Sequence, residues 1–206
     1  MIRRSPGFLV IELVTLFVVF PLLYFFELIP LHKIIPLVLL FGYCVTVLIL
    51  QKKANPRRFD MRANWKNILS RFIIIILLIS IWIRYFSSQP VFTDLMANKQ
   101  LLFMSLIYPF ASAFPQELIF REFFFQRYGL LFKNDKYLIV INIVLFAFAH
   151  IYFANWTIIL FTLAGGLIFV TTYLKTRSLL VVTIEHTLFG IFILSSGLSD
   201  QFYKAF

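Results

Sequence analysis

Residues 101–131 read LLFMSLIYPFASAFPQELIFREFFFQRYGLL, a long apolar run with charged side chains in its middle. A helix needs about 20 mostly apolar residues to cross a bilayer, and this run exceeds that length. Ionisable side chains at membrane depth are costly and tend to mark functional sites. The stretch therefore predicts a membrane helix that carries part of a polar site, formed by Gln116, Glu117 and Arg121.

The composition of the whole chain points to a membrane protein. Of its 206 residues, 61% are hydrophobic and 19% are aromatic, which leaves too little polar surface to cover a water-soluble globule. Seven apolar runs predict an all-α, polytopic transmembrane bundle of seven to eight membrane segments, in a single domain covering 1–206. The runs cover about residues 8–29, 31–50, 72–85, 101–131, 137–153, 156–174 and 179–198, with the third short and the fourth long.

Membrane topology explains the net charge of +10 better than a nucleic-acid surface does. With a cytoplasmic N-terminus, fourteen basic residues fall on the inner side, four fall on the outer side and Arg121 stays within the membrane. This is the positive-inside bias of polytopic proteins. We therefore expect membrane lipids as partners, with the basic segment 51–72 at the lipid surface or in an interfacial helix, and no nucleic acid. The inner residues are Arg3, Arg4, Lys52, Lys53, Arg57, Arg58, Arg62, Lys66, Arg71, Arg127, Lys133, Lys136, Lys175 and Arg177.

Several polar residues lie inside the apolar runs and require a reason to be there. Glu117 and Arg121 are four residues apart, so they share a helix face and can form an ion pair. His150 and His186 could each be an ordinary hydrogen-bonded core residue. Taken with the ion pair, however, they indicate an intramembrane site, because helix bundles build such sites from side chains that project inward from several segments. The remaining candidates are Glu12, Glu122, Asn142 and Glu185. We expect a structural or interfacial role for Glu12, and we expect Glu122 and Glu185 to lie outside the site.

Three short motifs resemble those of a known family. PQELIFR at 115–121, FAFAH at 146–150 and SLLVVTIEH at 178–186 resemble, in order, the motifs Glu-Glu-x-x-x-Arg, Phe-x-x-x-His and His-x-x-x-Asn/Asp. These motifs are typical of the CPBP intramembrane proteases, which include the Ras-converting CAAX endopeptidase and bacterial Abi-like relatives. The resemblance covers about residues 101–198. It implies an integral protein of the bacterial cytoplasmic membrane that acts on a membrane-associated peptide or protein.

The resemblance also implies roles for individual residues. Glu117 and Arg121 correspond to the second Glu and the Arg of the first motif and would form the structural ion pair. His150 would help to hold the attacking water or a metal, and His186 would stabilise the oxyanion of the tetrahedral intermediate. Phe146 belongs to the second motif and, like Phe120, would lie behind the catalytic groups.

Two positions depart from the family pattern. The first Glu of the family, thought to act as general base, corresponds to Gln116, whose amide cannot take a proton from water near neutral pH. The Asn or Asp that follows the last His corresponds to Gly190. The base could instead be Glu117 or His150, or the chain could be an inactive, divergent or engineered form.

The expected catalytic set is therefore Gln116, Glu117, His150 and His186. If a divalent metal such as zinc takes part, the expected ligands are Glu117, His150 and His186, although the family is also described by a metal-free mechanism. The favoured function is an intramembrane endopeptidase. The alternatives are a catalytically silent member of the same fold that binds a peptide or protein, and a small transporter that uses the polar groups as a relay.

Overall fold

The computed structural model describes residues 5–32, 34–51, 59–86 and 99–196, and these ranges form seven helices without any strand. Four helical segments are long and apolar enough to cross a membrane, two others are apolar but shorter, and the remaining one carries PQELIFR. The predicted all-α membrane bundle is confirmed. The helices are α1 (Pro6–Phe25), α2 (Ile34–Leu50), α3 (Trp65–Phe86), α4 (residues 99–128), α5 (Asp135–Phe148), α6 (Trp156–Thr176) and α7 (Leu179–Leu194).

Side-chain caps fix where the last three helices begin. Asn134 accepts a hydrogen bond from Lys136 N at the start of α5, and Asn155 accepts from two backbone amides at the start of α6. Ser178 caps α7 in the same way. Because Arg177 is left-handed, with φ 54°, the chain turns directly from α6 into α7. Helix α6 packs against both α5 and α7, with His150 at the end of α5 and His186 on α7.

Helix α4 is interrupted by two wide π-helical turns, Pro109–Ala113 and Leu118–Phe123. Pro109 and Pro115 have no backbone N–H, which removes a donor from the regular α-helical ladder. A π turn rotates the side chains that follow it relative to those that precede it, and such turns are frequent at functional sites. The two turns flank the residues that the sequence singled out, Gln116 and Glu117.

Helix α3 is longer than the sequence predicted. The apolar run suggested a short third span over 72–85, whereas the structure has one continuous helix, Trp65–Phe86. In the described part of the basic segment, residues 59–72, the helix that begins at Trp65 is continuous with the membrane helix. Leu69, Ile73 and Leu77 are about half exposed, which is expected of an apolar face in contact with lipid.

Two arginines assigned to the inner loops are instead partners of buried carboxylates. Arg127 forms a two-pronged ion pair with Glu12, with Nε to Oε2 at 2.7 Å and Nη2 to Oε1 at 2.9 Å. Arg71 reaches from α3 to Glu185 on α7. Hydropathy missed both pairs, because it counts a charge without its partner. Glu12 is thus a buried tie between α1 and α4 rather than an interfacial residue.

Candidate active site

Glu117 lies at the base of the candidate site, fully buried, and its two oxygens have different partners. Oε2 is 3.1 Å from Nε of Arg121, which is also fully buried. Arg121 in turn donates to Oδ1 of Asn142, and its guanidinium lies 4.9 Å from the centre of the Phe146 ring. Asn142 donates to the carbonyl of Phe120 at 2.6 Å. The charges of Glu117 and Arg121 are therefore compensated within the bundle.

The second oxygen of Glu117 orients His186. Its Oε1 is 2.8 Å from Nδ1 of His186, and the His186 ring stacks on Phe169 at 4.4 Å with an angle of 17° between the planes. A carboxylate can only accept a hydrogen bond, so Nδ1 carries the proton of this contact. Nε2 is then the ring atom of His186 that can serve a ligand.

His150 lies where α5 ends, so its side chain is placed by the last turn of that helix. Its Nδ1 is 2.8 Å from the carbonyl oxygen of Phe146. Because a carbonyl oxygen only accepts, Nδ1 carries the hydrogen and a neutral His150 has an unprotonated Nε2. The Phe146 ring contacts both imidazoles, with centroids 5.1 Å from His150 and 5.9 Å from His186.

A cavity of about 150 Å³ brings Gln116, His150 and His186 into one wall. The amide nitrogen of Gln116 donates to the Ser112 hydroxyl at 2.8 Å. Its buried amide oxygen has no hydrogen-bond partner among the described residues. Gln116 also lines two neighbouring cavities of about 140 and 220 Å³. It therefore lies where three spaces converge, with an acceptor oxygen left for a ligand.

Glu117 does not line this cavity. Since one of its oxygens is engaged by His186 and the other by Arg121, the alternative in which Glu117 turns to activate water has no support in this arrangement. The structure likewise does not bring Glu117, His150 and His186 together as ligands. No group of three His, Cys, Asp or Glu side chains within the described ranges could hold a metal ion. The conditional zinc set is therefore not formed by these residues.

The arrangement of an acidic-basic pair and two histidines around one cavity agrees with a family comparison. Residues 98–192 match the family model described as Type II CAAX prenyl endopeptidase Rce1-like. The matched segment of 95 residues is just under half of the chain. The match nearly coincides with the region 101–198 that the motifs had indicated, and the predicted relationship is confirmed. No curated protein and no solved structure matches the chain.

Within the Rce1-like segment, the structure fills the gap left by Gly190. A Cβ atom built on Gly190 would lie 2.1 Å from Cε1 and 2.4 Å from the hydroxyl oxygen of Tyr108. The phenol ring of Tyr108 thus occupies the space that a side chain at position 190 would need. Tyr108 lines the same cavity as His186, and their ring centroids are 6.0 Å apart.

Sequence reasoning missed Tyr108 and Ser112, and it gave Asn142 no role. One signal was present, because Tyr108, Ser112 and Gln116 follow one another at intervals of four on α4 and so form a polar row on an apolar helix. The other carboxylates within the apolar runs stay outside the site. Glu122, for example, accepts a hydrogen bond from the Tyr173 hydroxyl at 2.9 Å.

Proposed function

We propose that this chain is an intramembrane endopeptidase that hydrolyses a peptide bond of a membrane-associated substrate. The observation that carries the proposal is the cavity whose wall contains Gln116, His150 and His186, with Glu117 behind His186. The match of residues 98–192 to the Rce1-like family model supports a CAAX-type substrate, cleaved near its C-terminus. The polar groups meet between apolar helices, where a peptide segment could reach them from the lipid.

His150 is the group best suited to act as the base. Its Nδ1 is committed to the Phe146 carbonyl, so Nε2 of the neutral ring can accept a proton from a water in the cavity. The oxygen of that water bonds to the carbonyl carbon of the substrate, and the carbonyl π electrons move to its oxygen. Gln116 can orient the water through its free amide oxygen.

His186 is the group best suited to stabilise the resulting oxyanion. The Glu117 carboxylate at 2.8 Å stabilises a positive charge on the His186 ring, whose Nε2–H can then donate to the oxyanion. When the intermediate collapses, the C–N bond breaks and His150 returns its proton to the leaving amine. The second hydrogen of the water stays on the new carboxyl group, and His186 keeps its own hydrogen throughout.

The proposal includes a location and partners. We place the protein in a bacterial cytoplasmic membrane with its N-terminus in the cytoplasm, because basic residues are concentrated in the segments that this orientation puts inside. The exposed apolar side chains of α3 support contact with lipid, and the cavity supports a peptide or protein substrate.

Cleavage by purified protein in liposomes tests the function. Two substrate sets are used, peptides that end in a prenylated cysteine motif and an unmodified peptide library, with products identified by mass spectrometry. We expect cleavage by the wild type, and losses of at least about 10²-fold for His150→Ala and for His186→Ala. His32→Ala is the matched control, because His32 is exposed and outside the cavity. Proteolysis that survives both substitutions in the site would exclude the proposed centre.

A catalytically silent, peptide-binding protein is the second candidate, and it is favoured by the amide at position 116. In that case the wild type binds the peptides without cleaving them, and cleavage begins only in Gln116→Glu, which restores a carboxylate beside His150. Cleavage by the wild type excludes this candidate.

A further inference from the structure

Tyr108 occupies the space beside Gly190, where the family has the side chain of an Asn or Asp. Contacts of 2.1–2.4 Å between a Cβ on Gly190 and the Tyr108 ring are too short to exist, so a side chain at 190 would require the ring to leave its present position. The absence of a side chain at 190 therefore leaves room for the ring in this orientation. Its hydroxyl oxygen lies among the atoms nearest to that position.

Hydrogen bonds along α4 leave the Tyr108 hydroxyl free to donate. Gln116 donates its amide N–H to the Ser112 oxygen at 2.8 Å, so the Ser112 hydroxyl donates its own hydrogen to a different acceptor. Ser112 is also in hydrogen-bonding contact with the Tyr108 hydroxyl. If Ser112 donates to Tyr108, the phenol proton points to a further acceptor. Because Tyr108 lines the cavity, that acceptor can be a ligand.

We propose that Tyr108 is a catalytic residue that donates a hydrogen bond to the oxyanion beside His186, in place of the side chain missing at Gly190. The inference rests on the proposed peptidase function and adds a residue to its site. Tyr108 and His186 belong to the same cavity wall, with ring centroids 6.0 Å apart, so one substrate oxygen can lie between a phenol and an imidazole donor.

Removal of the hydroxyl alone separates catalysis from space filling. Tyr108→Phe keeps the ring in the space beside Gly190 and removes only the donor. We expect kcat to fall by about 10²- to 10³-fold, as for loss of one oxyanion donor, while KM changes little. Tyr128→Phe is the matched control, because Tyr128 is a buried tyrosine of the same helix that does not line the cavity.

A tetrahedral inhibitor provides a second readout. A phosphinic peptide carries an anionic tetrahedral centre, so Tyr108→Phe should weaken its binding by a factor similar to the loss in kcat. Binding of the uncleaved peptide should not change. If Tyr108→Phe keeps kcat and inhibitor affinity within about twofold of the wild type, Tyr108 only fills space and the inference is wrong.

Moving the hydrogen-bond donor from position 108 to position 190 tests whether the two positions can supply the same oxyanion contact. Gly190→Asn alone should fold poorly or lose activity, because the new side chain meets the Tyr108 ring. Tyr108→Ala should fold with low activity, and Tyr108→Ala combined with Gly190→Asn should recover at least about tenfold through the amide donor. A folded double variant no more active than Tyr108→Ala contradicts the inference.

These outcomes are distinct from failure of the function itself. If the wild type cleaves peptides and Tyr108→Phe cleaves them equally well, the peptidase proposal stands and the role of Tyr108 does not. If the wild type cleaves nothing and binds no phosphinic peptide, both are wrong.

Discussion

Glu117 acts through a neighbour and is shielded from the cavity. It holds Nδ1 of His186 with one oxygen and Arg121 with the other, and it has no exposed surface. A buried carboxylate in this position sets which nitrogen of the imidazole faces the substrate. In the proposed peptidase its contribution is therefore positional, and it depends on Arg121 remaining paired.

Glu117→Gln should lower kcat by about 10²- to 10⁴-fold, because a neutral amide no longer stabilises the positive charge that the proposed mechanism places on His186. Glu117→Gln should also lower the free energy of unfolding by about 3–5 kcal/mol, since Arg121 loses its charge partner inside the bundle. Activity is measured per folded molecule, after size-exclusion chromatography, and compared with thermal unfolding.

Glu122→Gln is the control for that experiment. Glu122 is equally buried on α4 but bonds to Tyr173, away from the cavity. It should lose stability and keep its kcat. A Glu117→Gln variant with wild-type kcat would show that His186 needs no orienting carboxylate.

For individual residues, the sequence predicts side-chain pairs within a helix but not pairs between helices. Glu117 and Arg121 were expected to pair because four residues separate them on one face. The ring of Tyr108 on α4 fills the space beside Gly190 on α7, which follows 82 positions later in the chain. No local sequence rule connects a tyrosine with a glycine so far away. Likewise, Asn142 is recognisable as a polar residue in an apolar run. The hydrogen bond that it accepts from Arg121, however, depends on how α5 packs.

Among the elements, α1 is tied to α4 by one buried ion pair. Glu12 and Arg127 have side chains that are 4% and 5% exposed, and Tyr43 of α2 also donates to Glu12. Phe17 packs edge-on against Phe120 on the same side of α1. The ion pair thus fixes the N-terminal helix to the one that carries the site.

Glu12→Ala should destabilise the protein by about 3–5 kcal/mol, because Arg127 becomes an unpaired buried charge. Thermal unfolding in detergent measures the loss. The exposed pair of Arg62 and Asp60 supplies the control, since Arg62 is 93% exposed and Arg62→Ala should leave the unfolding temperature unchanged. Replacing both members, with Glu12→Leu and Arg127→Met, should restore most of the stability. If Glu12→Ala alone is neutral, the pair does not hold α1.

The contact between α5 and α6 closes at Gly166. A Cβ there would lie 3.3 Å from Cδ1 of Phe146 and 3.5 Å from the carbonyl oxygen of Ile143. Adjacent glycines such as Gly165 and Gly166 in an apolar helix are typical of a close helix contact, and Gly166 is the member that faces α5. Because Phe146 contacts both imidazoles, the packing at Gly166 also supports the site.

Gly166→Val should cost about 1–3 kcal/mol through overpacking, and it should lower activity by displacing Phe146. Gly42→Val is the matched control, because a Cβ at Gly42 of α2 meets no atom within 4 Å. Unfolding temperature and peptide cleavage are measured for both. If the two variants have the same unfolding temperature and cleave peptide equally well, α6 can shift without loss of stability or activity.

At the scale of the whole molecule, the proposed orientation predicts which loops face the cytoplasm. Leu130 and Trp156 lie near opposite ends of α5 and are 86% and 82% exposed. A membrane-impermeant maleimide should label the Trp156→Cys variant in intact cells, and the Leu130→Cys variant only after the membrane is opened. Cys44 is fully buried, so the parent chain should give no signal. The reverse pattern would place the N-terminus outside.

The number of helices could be read from the sequence, but their relative heights could not. Rise per residue locates His150 and His186 along their own helices, at about 20 and 10 Å from the start of each apolar run. Those depths differ, yet both rings line one cavity. The offset comes from the turn at Arg177 and from packing around Phe146, neither of which follows from hydropathy.

The overlap between the Tyr108 ring and a side chain at 190 predicts that the two positions vary together. In a relative with Asn or Asp at that position, the Cβ would occupy space that the Tyr108 ring takes here, so the ring could adopt this orientation only after the side chain is lost. With the ring in place, a return of the side chain would require the ring to move. Among relatives, aromatic residues at the first position should therefore occur together with glycine at the second, a correlation that an alignment can detect before any enzyme is purified.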